Sequence, residues 1–162
     1  HTDGPSRCPG CGGKDFHLRH PACAVISCNN KHDSVEFCYQ CSSYPCDRFR
    51  EPSRIDSFIT YQNVSTDFGR AARDGIDRYK SDLNEKTAFL EYLLNNFNDG
   101  RKKSFYCLAV NLLPLPEVRK IIEQAREPDK PAAVDVKGKI ERVVSLFQEA
   151  AERARVELIL RK

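Results

Sequence analysis

The chain has 162 residues, 40% of them hydrophobic and 30% charged, and its 18.5 kDa and mean hydropathy of -0.57 suit one soluble domain, or one with a small appendage. No stretch approaches the roughly 18 apolar residues that span a bilayer, which excludes a membrane-spanning protein. Its 26 basic and 23 acidic residues leave a net charge of +3, too nearly balanced to draw in nucleic acid or an anionic membrane by field alone. Met and Trp are absent, and an opening His1 in place of Met is expected of a processed or trimmed chain. No G-x-S-x-G, Walker-type Gly-Lys, HExxH or GxGxxG run occurs, so the easily read enzyme classes drop out.

The head, residues 1–54, carries the chemistry. Cys8, Cys11, Cys23, Cys28, Cys38, Cys41 and Cys46 and all four histidines lie before residue 47, while the remainder holds only Cys107. The head has 7 Lys/Arg against 6 Asp/Glu, so it differs from the remainder in ligands and not in charge. Turn formers and few periodic apolar runs leave it little surface to bury, and a fold of that size needs a staple. In Cys8-Pro-Gly-Cys11 and Cys38-Tyr-Gln-Cys41, two intervening residues let both sulfurs turn toward one cation at about 2.3 Å, the knuckle of structural zinc sites. Gly12 and Gly13 leave backbone N–H groups free to point at sulfur. Zinc is the favoured reading, ahead of an iron–sulfur cluster and, last, a disulfide framework. Seven cysteines fall one short of two tetrahedral sets, and His32, then His20, is the candidate eighth ligand. Sequential pairing and an interleaved pairing of Cys8 and Cys11 with Cys38 and Cys41 both remain open. After Pro45 and Cys46, Asp47-Arg48-Phe49 opens a helix.

From about residue 55 the apolar period becomes helical. Val64, Phe68, Ala71, Ala72, Ile76, Tyr79 and Leu83 mark one helix capped by Ser65 or Thr66, with Gly75 weakening its middle. Leu90, Leu93, Leu94 and Phe97 form a second stripe, closed at Asp99-Gly100 by a glycine suited to left-handed geometry. Phe105, Leu108, Ala109 and Leu112 make a third, ending at Pro114. Pro116 then starts a helix with Val118, Ile121, Ile122 and Ala125. Behind an Asp135 cap, Ile140, Val143, Val144, Phe147, Ala151, Ala154 and Leu158 share one face of a long amphipathic helix. The fold class is therefore mainly α: an irregular Cys-rich metal-binding head followed, over residues 55–162, by a four- to five-helix bundle, with no sheet of three or more strands between residues 60 and 160.

The runs CPGCGG, CAVISC and VEFCYQCSSYPCDRF, followed by NDGRKKSFYCLAVNLLPL, resemble the bacterial and archaeal family catalogued as domain of unknown function 3795, over residues 7 to about 125. The resemblance implies a small Cys-rich, metal-binding prokaryotic domain without established activity, cytoplasmic, its cysteines reduced or metallated. The family's upstream CGLxCxxC cluster has no counterpart in this chain, which puts the completeness of the ligand set and the role of His32 in question.

Two features outside the head have competing readings. Asp99, Arg101, Lys102, Lys103 and Ser104 make either an anion-binding helix start or, preferably, a solvated capping turn. Cys107, off the Phe105 stripe, is a small residue on a second packing surface or, less readily, a reactive thiol. The leading expectation for function is a non-catalytic, zinc-organised module that engages an unidentified protein partner. The rival is a redox protein with an iron–sulfur cluster or reactive thiols. Nucleic-acid binding is disfavoured by a head of net +1 with sparse aromatics.

Overall fold

Alternation of period 2 is missing from the sequence, and no strand forms among the described residues, which in this computed structural model are 23–32, 34–50, 55–56, 60–127 and 136–162. The structure is mainly α, as the stripes require. The chain divides into two compact units, His1–Cys46 and Asp47–Lys162.

In the first unit, helix α1 spans Ala24–Asn29, and a single 3-10 turn spans Cys38–Gln40. The second unit opens with the short α2, Asp47–Arg50, where Asp47-Arg48-Phe49 predicts a helix start. Phe49 meets the ring of Phe68 edge-on at 5.5 Å.

The stripe from Val64 to Leu83 does not lie on one helix. Helix α3, Val64–Asp74, ends and α4, Ile76–Asn96, begins at Gly75, which sits at φ 87° and ψ 149°. Glycine, lacking a Cβ, takes this conformation at little cost, so the joint needs only one residue. Its N–H still bonds the Ala71 carbonyl at 3.1 Å, and its carbonyl accepts from Tyr79 N–H at 3.2 Å. The expected caps Ser65 and Thr66 lie inside α3. Asn63 occupies the cap position and its amide donates to Asp67 Oδ2 at 2.7 Å. Only Ala71 of the predicted stripe is fully buried, whereas Ala72 is exposed and Leu83 remains 38% exposed.

The Leu90 stripe belongs to the same α4, and Leu93 and Phe97 carry its end into the core. Gly100 adopts φ 88°, the left-handed turn expected there. Helix α5, Lys103–Leu112, corrects the third stripe: its buried face is Tyr106, Ala109 and Val110, continued by Leu113, while Phe105, Leu108 and Leu112 are half-buried. The sequence FYCLAVNLL is apolar nearly all round, so periodicity alone does not choose a face. Helix α6, Leu115–Arg126, buries Val118, Ile121 and Ile122 as the Pro116 start predicts. Helix α7, Val136–Ala154, buries Ile140, Val143, Phe147, Ala150 and Ala151. Asp135, its expected cap, lies outside the described residues. Ala154 is exposed, and Leu158 reaches the core from beyond the helix.

Helices α4, α5, α6 and α7 enclose the core, with α3 packed on α4. At its centre the Tyr106 and Phe147 rings meet edge-on at 6.0 Å, and the Tyr106 hydroxyl donates to the Phe97 carbonyl at 3.0 Å. The C-terminal segment is tied to the residues that precede α3. Asp56 N–H donates to the Arg161 carbonyl at 2.7 Å, and Asp56 Oδ2 accepts from Arg161 N–H at 2.9 Å. Tyr61 N–H donates to Asp56 Oδ1 at 2.8 Å, and the Gln62 amide reaches the Ile159 carbonyl at 2.9 Å. No helix among the described residues is long and apolar enough to cross a membrane.

Candidate metal centre

Among the described residues the head is built from two short elements and the turns that follow them. Cys23 occupies the N-cap position of α1, and Cys28 lies in its last turn. Beyond the helix the chain folds back: Ser34, at φ 49°, donates its N–H to the Asn29 carbonyl at 3.2 Å, and the Asn29 amide donates to the Val35 carbonyl at 2.7 Å. His32 rides exposed on this turn. Phe37 leads into the Cys38–Gln40 turn in extended conformation, and the Gln40 side chain accepts the Phe37 N–H at 2.8 Å. Phe37 and Tyr39 rings stack at 5.9 Å.

The Cys38-x-x-Cys41 pair therefore forms a tight turn, closed by Cys41 N–H to the Cys38 carbonyl at 3.1 Å. Two residues later Ser43 N–H points at Cys41 Sγ, 3.5 Å away. A backbone N–H aimed at sulfur stabilises the thiolate form, which is the form a cation binds. Tyr44 N–H then returns to the Cys41 carbonyl at 3.0 Å, ahead of Pro45 and Cys46.

Cys23, Cys28, Cys38, Cys41 and Cys46 are all free and half-buried. The Cys38 thiol is pushed above its ordinary value, first by burial and then by the neighbouring thiols of Cys46, Cys28 and Cys41. Four of the predicted ligands thus share one electrostatic neighbourhood. They do not converge further: among the described residues no three His, Cys, Asp or Glu side chains are placed to hold an ion. Cys8, Cys11 and His20 lie outside the described residues. The donor chemistry fits a soft or borderline cation, since half-buried thiols with one N–H already directed at sulfur are what such an ion requires.

Sequence reasoning passed over a buried charge in the second unit. Lys86 is only 9% exposed, and its ammonium donates to the carbonyls of Asn111 and Leu113 at 2.9 and 2.8 Å. It stands three residues after Leu83 and four before Leu90, so a cation on an apolar helix face was the signal that marks it. Cys107 is half-buried. The basic turn before α5 is internally satisfied, with Asn98 Oδ1 accepting from Gly100 and Lys102 N–H and Asp99 Oδ1 from Arg101 N–H. These bonds close the turn itself, and Lys102, at the cap position of α5, makes no side-chain cap bond.

Residues 2–51 match the family model described as Protein of unknown function (DUF3795). The runs CPGCGG, CAVISC and CYQCSSYPC all fall inside the matched segment, and NDGRKKSFYCLAVNLLPL lies beyond it. No curated protein and no solved structure matches the chain.

Proposed function

We propose, from a Cys-rich head that matches a family without assigned activity, that this unit is a structural metal module, organised by zinc, which presents a surface to a cytoplasmic protein partner. The observation that carries the reading is the company kept by Cys38: Cys28, Cys41 and Cys46 act on its thiol, beside a sulfur already addressed by Ser43 N–H. The Cys38 thiol resists ionisation because burial, and then its neighbouring thiols, disfavour the charged form. A divalent cation reverses that sign, binding the thiolates and releasing their protons. The proposed ligands are drawn from Cys8, Cys11, Cys23, Cys28, Cys38, Cys41 and Cys46, with His32 as the candidate eighth. A closed thiolate set leaves no coordination position for water or substrate, which favours a structural over a catalytic ion.

The test is elemental analysis of the chain purified without oxygen, chelator or affinity metal, with a visible spectrum and a thiol titration. About one to two zinc ions per chain, no colour and few titratable thiols are expected. Iron with sulfide and absorption near ~400 nm would assign the head to redox chemistry instead. Freely titrating head cysteines without bound metal would overturn both.

A further inference from the structure

The helical unit holds a cleft of about 270 Å³, bordered by Asp67 and Arg70 of α3, Lys86 of α4 and the stretch from Asn111 to Pro116. Arg70 pairs with Asp82 at 2.7 Å and with Asp67 at 3.8 Å, so no charge is left over between them to select an ionic ligand. Lys86 stands outside those pairs. Its nitrogen donates to the carbonyls of Asn111 and Leu113 at 2.9 and 2.8 Å, and Asp67, Arg70 and Asp82 act on it only through space. Holding two carbonyls at the end of α5 takes two N–H groups and no net charge. A neutral amine supplies both and keeps one lone pair, which makes it a nucleophile. Burial favours that form and pushes the Lys86 pKa down to about 8.

A carboxyl lies on the same cleft. Asp67 accepts hydrogen bonds from the Asn63 amide at 2.7 Å and from the Tyr79 hydroxyl, yet burial, the larger influence, holds its pKa above the ordinary value. Leu112, Pro114, Leu115 and Pro116 make the rest of the lining largely apolar, and the volume admits only a few heavy atoms. A buried amine, a carboxyl that keeps its proton longer than usual and an apolar wall together suit a small uncharged electrophile. We propose that Lys86 condenses with a small aliphatic aldehyde in this cleft to form an imine, with Asp67 as the proton donor. In the first step a C–N bond forms as the carbonyl π bond breaks, and one proton passes from nitrogen to oxygen. In the second the C–O bond breaks, the hydroxyl takes the Asp67 proton and leaves as water, and the nitrogen lone pair closes the C=N bond. The products, a protonated imine and the Asp67 carboxylate, carry opposite charges in one cleft. The N–H that remains stays on the buried Leu113 carbonyl, while the part-buried Asn111 carbonyl is released to water.

The experiment treats the whole 162-residue chain near neutral pH with propionaldehyde and cyanoborohydride, which fixes an imine as a secondary amine. Alkylation at each lysine is read by peptide mass spectrometry. Lys86 should be alkylated several-fold faster than the exposed Lys120 and Lys137. Asp67→Asn separates proton donation from mere availability of the amine. The Asp67 charge raises the Lys86 pKa, so its loss frees more amine and should speed acetylation of Lys86 by an N-hydroxysuccinimide ester, a reaction that expels no water. Alkylation by propionaldehyde should instead slow several-fold in that variant, at unchanged helical circular dichroism. Lys86 lagging behind the exposed lysines in the unaltered chain, a result independent of how the variant folds, would overturn the proposal. So would alkylation and acetylation changing in the same direction in Asp67→Asn.

Discussion

Asp56 and Lys86 are two buried charges solved in opposite ways. Burial alone would raise the Asp56 carboxyl, but the N–H groups of Tyr61 and Arg161 and the Arg161 guanidinium outweigh it and hold its pKa at about 2. A carboxylate with a depressed folded-state pKa contributes stability that is complete above its ordinary 3.8 and is lost as the pH falls toward 2. Asp56→Asn is expected to cost about 2 kcal/mol at neutral pH and to flatten the acid limb of stability, read from urea midpoints between pH 5 and 2. Lys86 runs the other way. Its folded-state pKa, about 8 against an ordinary 10.5, means that the unfolded chain holds the proton more tightly, so stability rises with pH between those values. Tyr79 and Tyr106, both pushed up to about 12 by burial first, oppose this above pH 10. Between pH 8 and 10 a gain of about 2 kcal/mol is expected in the native chain and should vanish in Lys86→Met. Asp56 was not legible, because its partner lies 105 positions away, and although the apolar face marks Lys86, the carbonyls it holds, 25 and 27 positions away, were not legible either.

At the level of the helix, two glycines separate propensity from geometry. Gly69 lies within α3 with open space where a Cβ would go. Gly69→Ala should therefore stabilise by roughly 0.5–1 kcal/mol, as alanine restricts the unfolded chain and favours the helix. Gly75 has the same open space but φ +87°, so Gly75→Ala should destabilise by about 1–3 kcal/mol through backbone strain alone. Thermal unfolding of the two variants side by side checks the opposite signs, and a stabilising Gly75→Ala would mean that α3 and α4 fuse. The periods of α4, α6 and α7 were legible because charged faces oppose their stripes. The α3–α4 joint was not, since the apolar rhythm crosses Gly75 without interruption and only the backbone conformation reveals the break. Nor was the face of α5, where Tyr106 is fully buried and Phe105 only half-buried against the core.

At the scale of the molecule the two units answer to different forces. The helical unit encloses a continuous apolar core from Leu93 to Ala151, and its existence was plain from stripes of sufficient length. In the head the Cys38-x-x-Cys41 spacing was legible as a tight turn, which the Cys41 N–H to Cys38 carbonyl bond closes. How α1 and the later turn meet was not legible, because it does not follow from intervals along the chain. If metal staples the head, a strong chelator should release thiols there and abolish amide-exchange protection around Cys28 and Cys38, leaving protection of α4–α7 unchanged. Equal loss in both units would instead tie the core to the metal.

The exchange of hydrogen bonds between Asp56 and Arg161 has a topological consequence. Asp56 and Arg161 lie side by side, so the segment that they bracket behaves as a cassette. Inserted into an exposed loop of a host protein, such a cassette demands no separation of the host's flanking residues. Retention of both host activity and cassette helicity, with loss of the latter in an Asp56→Asn insert under mild denaturant, is the expected behaviour.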